Sequence, residues 1–89
     1  MLVLPADLTR NQASACLLML VQGLKAVPAE DVVVDATALT RFDSSALAVL
    51  LELRRESLAH GKNLRIRALP VRLRDLATVY GIAELLTAE

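Results

Sequence analysis

Aromatic residues are almost absent from this sequence, since Phe42 and Tyr80 are the only two among 89 residues. The core of such a chain must therefore be aliphatic, built from Leu, Val, Ile and Ala. The scarcity also argues against nucleic-acid binding, because single strands stack on aromatic side chains and duplexes need a basic surface. Ten Lys and Arg residues balance ten Asp and Glu residues, so the sequence has no net basic charge either.

Cysteine and histidine are each represented once, by Cys16 and His60. A lone cysteine excludes a disulfide scaffold, and one cysteine with one histidine cannot supply the four ligands of a structural zinc site. We expect Cys16 on the buried face of a helix, where a thiol is inert, and His60 at a helix C-terminus, where a histidine stabilises the dipole. The sequence therefore predicts no catalytic group, no metal and no cofactor.

Long apolar runs are also lacking, because the longest spans residues 15–21 and a bilayer requires about 18–20. Residues 1–4 have no basic flank or cleavage site and do not resemble a signal peptide. We therefore expect one small cytoplasmic domain over residues 1–89. Its hydrophobic share of 55% is nevertheless high, which suggests that part of the apolar surface contacts a partner.

Apolar periodicity and turn residues predict an alternation of strands and helices. The first strand is Leu2-Val3-Leu4, ended by Pro5. Thr9 and Gln12 fit a capping box for a first helix that ends before Pro28. The face of this helix toward the core is formed by Ala13, Cys16, Leu17, Leu20, Leu24 and Val27. The apolar run within residues 31–35 predicts a second strand covered on both faces.

The alternation of helices and strands continues in the second half of the chain. A loop over residues 36–42 leads to a second helix, residues 44–59, which Gly61 terminates. A strand over residues 64–68 and a third helix over residues 71–80 follow, and then a short strand or helical turn. The third helix is expected to bury Leu73, Leu76, Ala77 and Tyr80. The fold class is α/β, with a mixed β-sheet of about four strands and helices packed on it.

The most informative segment precedes the second helix and contains Arg41, Asp43, Ser44 and Ser45. Asp and Ser are preferred N-cap residues, which alone accounts for the cluster. A hydroxyl at a helix N-terminus is also a place where a phosphate is tolerated, because the N-terminal backbone N–H groups are unpaired. Both interpretations remain open at this point.

The second helix carries two apolar stripes. One comprises Leu47, Leu50, Leu51 and Leu58 and is expected to face the core. The other comprises Ala46, Val49 and Leu53 on roughly the opposite side. A helix on the surface of a monomer usually has one apolar face, so the second stripe either contacts a partner or packs against a neighbouring helix. A weak homodimer formed through this second stripe is a further alternative.

Two arginine pairs, Arg65 with Arg67 and Arg72 with Arg74, support a weaker alternative, the binding of an anionic ligand.

The order of the strand 32–35, the segment Asp43-Ser44-Ser45-Ala46-Leu47, Gly61 and a further strand and helix resembles the STAS domain family. The resemblance covers residues 2–86. The ending Leu76-Ala77-Thr78-Val79-Tyr80-Gly81-Ile82 and the leucine-rich second helix are similar to the MlaB-like members. Two departures stand out: Ala46 replaces a glycine usual at that position, and the first strand is short.

The resemblance implies a non-enzymatic cytoplasmic subunit that binds the ATPase of the Mla phospholipid ABC transporter, which maintains outer-membrane lipid asymmetry. Such a subunit reaches the inner membrane only through the transporter complex. Ser44 matches the conserved hydroxyl at the partner interface, and the expected docking surface comprises Arg41, Asp43, Ser44, Ser45, Ala46, Val49 and Leu53. In the related anti-sigma factor antagonists, the Ser44 position is phosphorylated by an anti-sigma kinase, which supplies the alternative function.

Overall fold

Short strands alternate with longer helices in a computed structural model that describes residues 1–86. Within these residues the strands are β1 (Leu2–Val3), β2 (Asp7–Leu8), β3 (Asp31–Asp35), β4 (Arg41–Phe42) and β5 (Asn63–Arg67). The α-helices are α1 (Arg10–Ala26), α2 (Ser44–Ala59) and α3 (Val71–Val79), and a 3-10 turn follows at Ala83–Leu85. The α/β fold class is confirmed, and the last element is a helical turn.

The ends of the helices follow from local capping chemistry. Thr9 is the N-cap of α1, and Gln12 Oε1 accepts a hydrogen bond from the Thr9 backbone N–H at 2.9 Å, as a capping box requires. The predicted bounds of α2 are confirmed at both ends. Gly61 follows α2 with a φ of +68°, in the left-handed region that glycine adopts without a steric penalty.

All strand pairings in the described part of the chain are parallel. A three-stranded sheet has the order β1-β3-β5, and a separate pair joins β2 to β4. The sequence predicted a mixed sheet of about four strands and a loop over residues 36–42, whereas that segment contains β4. The parallel arrangement arises because α1 and α2 each return the chain to the same end of the sheet before the next strand begins.

The helices cover one face of the three-stranded sheet. Leu2, Val34 and Ile66 lie in register across its strands, and Val34 and Ile66 are buried beneath the helices. On the opposite face Val33 is half-buried and lies outside the core, beside the exposed Arg65. The prediction that both faces of β3 are covered is therefore wrong, because no helix of the described residues packs on that second face.

The core lies between this sheet and the helices and is almost entirely aliphatic. Its residues with no measurable exposure include Leu4, Leu8, Leu24, Val34, Leu50, Leu53, Leu73 and Ala77. The predicted core face of α1 is confirmed, with Cys16, Leu20 and Leu24 buried. No α-helix among residues 1–86 is long and apolar enough to span a membrane.

Candidate functional site

The N-termini of α1 and α2 lie side by side, although 33 residues separate Arg10 from Asp43. The cause is the short parallel pair formed by β2 and β4, in which Leu8 is in register with Phe42. Each of these two-residue strands leads directly into a helix. The first turns of the two helices therefore share one end of the molecule, and the residues singled out from the sequence lie at this end.

Asp43 holds the two helix N-termini together. Its Oδ1 accepts a hydrogen bond from the Ser45 backbone N–H at 2.8 Å, and its Oδ2 accepts one from the Arg10 backbone N–H at 3.1 Å. These two hydrogen bonds, the one from Arg10 first, hold the pKa of the Asp43 carboxyl below its ordinary value. The predicted role of Asp43 as the N-cap of α2 is confirmed. Its hydrogen bond with the N-terminus of α1 was not predicted from the sequence.

The polar residues of the predicted docking surface surround this double cap. Arg41, Asp43 and Ser44 are exposed, and Ser45 is half-buried. Ser44 is the first residue of α2 and directly follows the capping Asp43. The structure thus brings these four side chains together at one end of the fold and leaves three of them open to contact.

The apolar part of the predicted docking surface is not exposed. Ala46 and Leu53 have no measurable exposure, and Val49 is 3% exposed. The expectation that these residues contact a partner is therefore wrong for Ala46 and Leu53, and Val49 reaches the surface only at the floor of a hollow between α1 and α2. The other interpretation of the second stripe, that it packs inside the domain, holds instead. The methyl group of Ala46 also lies inside the core, so this departure from glycine does not limit the approach of a partner.

The reason is that α2 is the central helix of its layer. It packs extensively against α1, contacts α3, and also lies on β5. A helix with neighbours on both sides needs two buried apolar stripes, whereas a helix at the edge needs one. Its outer positions are correspondingly polar or exposed, and Leu58, which was expected in the core, is 55% exposed.

An apolar groove lies beside Ser44, between α2 and the C-terminal end of α3. Its volume is about 410 Å³, and its lining residues are Ser44, Leu47, Ala48, Leu51, Tyr80 and Ile82. Tyr80 was expected to be buried, but it is 58% exposed. It is the C-cap residue that follows the last turn of α3, and it does not lie on the buried face of that helix. In the sequence, Tyr80-Gly81-Ile82 was noted only as part of the resemblance to the MlaB-like members, and no pattern there predicted a groove.

The other chemically notable residues lie outside this site. Cys16 is buried among core side chains, and burial raises the pKa of its thiol, which keeps it protonated and unreactive. His60 is exposed at the C-terminal end of α2, where its backbone N–H bonds to the carbonyl of Glu56. Both positions agree with the roles expected from the sequence.

A protein-family model described as "Mlab, STAS domain" matches residues 1–87 of the sequence. This match covers nearly the whole chain. The chain belongs to the STAS domain family. No curated protein matches the sequence closely enough to count as a relative. The family membership agrees with the observed α/β architecture and with the MlaB-like resemblance expected from the second helix and the C-terminal segment.

Proposed function

We propose that this STAS domain is a non-enzymatic, cytoplasmic subunit that binds the ATPase of an ABC-type phospholipid transporter and supports its assembly and activity. The family description, which names Mlab, supports the assignment. The observation that carries it is the apolar α2/α3 groove directly beside the exposed Ser44. Under this proposal the chain spans one domain and reaches the membrane only through the complex.

The α2/α3 groove and the double cap together form the proposed docking surface. The groove supplies an apolar floor at Leu51 and Ile82, and the exposed Tyr80 ring supplies the aromatic anchor common at the centre of protein interfaces. Ser44 lines the groove with a polar group, and the exposed Arg41 lies three residues before it in the chain. Polar groups of this kind form the rim of an interface. This surface replaces the buried stripe as the apolar part of the contact.

The test is co-purification of the ATPase with Tyr80→Ala, compared with Val79→Ala as the matched control. Both side chains are exposed near the end of α3, at 58% and 80%, but only Tyr80 lines the groove. Loss of the ring should weaken ATPase binding at least about tenfold, which is typical of an anchor residue. The control should bind like the wild type. Equal binding by both variants would remove the groove from the interface.

The exposed position of Ser44 favours one alternative, an anti-sigma factor antagonist. A phosphate on this hydroxyl would add about −1.5 to −2 charges at the first residue of α2, which would switch an interface with a kinase. Intact-mass measurement of the natively expressed protein separates the two functions. An adduct of about 80 Da that disappears in Ser44→Ala would favour the switch, and unmodified protein bound to an ATPase would favour the transporter subunit.

A further inference from the structure

The outer surface of α1 carries almost no charge. Between Arg10 and Lys25, residues 11–24 include no Asp, Glu, Lys or Arg. Leu18 and Met19, in the middle of this segment, are 62% and 58% exposed. A helix on the surface usually presents charged residues to water, so an uncharged outer face with two large apolar side chains indicates a surface that another molecule covers.

A groove runs along this helix on the side of α2. It consists of two adjoining hollows of about 330 and 340 Å³, which share Ser14, Leu17 and Glu52. The hollow farther from the helix N-termini is also lined by Leu18, Val21 and Glu56. This α1/α2 groove meets the α2/α3 groove at the exposed Ala48, which lines both. The hollow farther from the helix N-termini shares no lining residue with the α2/α3 groove.

The two walls of the α1/α2 groove differ in charge. The α1 wall is apolar, with Leu17, Leu18 and Val21, whereas the α2 wall carries two carboxylates, Glu52 and Glu56. Glu52 forms a surface ion pair with Arg55 at 3.6 Å, and this is the only salt bridge within residues 1–86. Glu56 therefore has no cationic partner in that part of the chain, and the wall is negative overall.

We propose that the α1/α2 groove binds an amphipathic helix of a partner protein, with its apolar side on α1 and Lys or Arg residues facing α2. A groove between two helices fits a third helix, whose apolar residues repeat every three or four positions. The lining residues of α2 run from Ser45 to Glu56, a length of about 16 Å or three helical turns. The inference does not depend on ATPase binding.

Two synthetic helical peptides of about 18 residues serve as probes. Both carry the same stripe of Leu, and their remaining positions are Lys in one and Glu in the other. In NMR titrations of the isotope-labelled protein, the Leu/Lys peptide should bind saturably. Its chemical-shift changes should concentrate at residues 14–21 and 52–56. The Leu/Glu peptide should bind at least about tenfold more weakly, because the α2 wall repels it.

Two variants test the walls separately. Leu18→Ala removes apolar contact from an exposed side chain, and Glu56→Lys reverses the charge without touching the core. Glu30→Lys is the matched control, because it makes the same charge change at an exposed position before β3. Both groove variants should weaken Leu/Lys binding about tenfold with an unchanged melting temperature, and the control should not.

Three results would overturn the proposal. The first is equal binding of the two peptides, and the second is an equal loss of binding in Glu30→Lys, which would show attraction to charge alone. The third is a dimer in sedimentation experiments that dissociates in Leu18→Ala, which would assign the groove to a second copy of the chain. None of these results concerns the ATPase, so ATPase co-purification remains a separate test of the proposed function.

Discussion

Asp43 and Arg10 are joined by a hydrogen bond that links two helix N-termini, from the Arg10 backbone N–H to Asp43 Oδ2 at 3.1 Å. The same carboxylate caps its own helix through Ser45. A capping side chain usually serves one helix. Here one residue fixes the spacing between α1 and α2 at the end of the molecule where the proposed docking surface lies, so it couples the stability of the fold to the shape of that surface.

Removal of the Asp43 carboxylate should therefore destabilise the protein more than loss of an ordinary surface carboxylate. Asp43→Ala leaves two backbone donors without their acceptor, and Asp43→Asn keeps one carbonyl oxygen for one of them. We expect the free energy of unfolding to fall in the order wild type, Asn variant, Ala variant, measured by urea denaturation. Asp75→Ala, at an exposed position of α3, is the control. Equal losses for Asp43→Ala and Asp75→Ala would contradict the double cap.

Two aspartates with lowered pKa values, Asp43 and Asp35, predict a loss of stability in acid. Hydrogen bonds to backbone N–H groups hold the folded-state pKa of Asp43 below its ordinary value, and the side-chain and backbone bonds of Thr37 do the same for Asp35. A carboxyl whose pKa is lower in the folded state contributes stability that is fully present above about pH 4, the ordinary pKa of an aspartate. That contribution is lost as the pH falls through the folded-state value.

Urea denaturation at a series of pH values checks this dependence. The wild type should lose stability steadily below about pH 4. Asp43→Asn and Asp35→Asn should each lose less over the same interval, because an amide has no proton to take up. Parallel curves for the wild type and both variants would show that these carboxyl groups have no part in acid unfolding.

The burial of the second stripe of α2 predicts contrasting effects for the same substitution at two positions. Leu53 has no measurable exposure, whereas Leu58, five residues later in the helix, is 55% exposed. Leu53→Ala should lower the free energy of unfolding by about 2–5 kcal/mol through lost burial and a cavity. Leu58→Ala should change it by less than about 0.5 kcal/mol. Thermal or urea denaturation measures both, and a small effect at Leu53 would restore the stripe as a surface.

The sequence predicted the elements with strong local signals and missed those that depend on distant pairing. The Asp43 cap and Gly61 fixed both ends of α2, because a cap and a left-handed residue act within one turn. Strands β2 and β4 have two residues each, too few to show alternation, and they exist only because Leu8 meets Phe42. That contact joins distant parts of the chain, so no local sequence pattern predicts it.

Only part of the candidate site could be predicted from the sequence, because the rest also depends on contacts between distant elements. Asp43 and Ser44 carried a local capping signal and lie where expected. A helical wheel showed two apolar stripes on α2, but it could not show that α2 has a helix on each side. Whether Val49, Leu53 and Tyr80 are buried depends on which helices lie side by side. The topology of the fold determines these neighbours, and a helical wheel holds no information about them.

Gly61 offers a test of the turn that ends α2. Its φ of +68° lies in the left-handed region, and an added Cβ would meet no atom within 4 Å. The cost of substitution is therefore conformational and not steric crowding by other residues. Gly61→Ala should cost about 1 kcal/mol, and Gly61→Asn less, because asparagine tolerates this region. A cost for Asn equal to or above that for Ala, in urea denaturation, would contradict this explanation.

Ser44 separates the stability of the helix from the binding of a partner. A carboxylate at the first position of a helix is favoured by the positive end of its dipole, although the neighbouring Asp43 opposes it. Ser44→Glu should therefore fold with a melting temperature close to that of Ser44→Ala. It should nevertheless weaken ATPase co-purification strongly, because it places a charge at the edge of the apolar α2/α3 groove, whereas Ser44→Ala should bind nearly normally. If Ser44→Glu binds like the wild type at equal stability, Ser44 lies outside the interface.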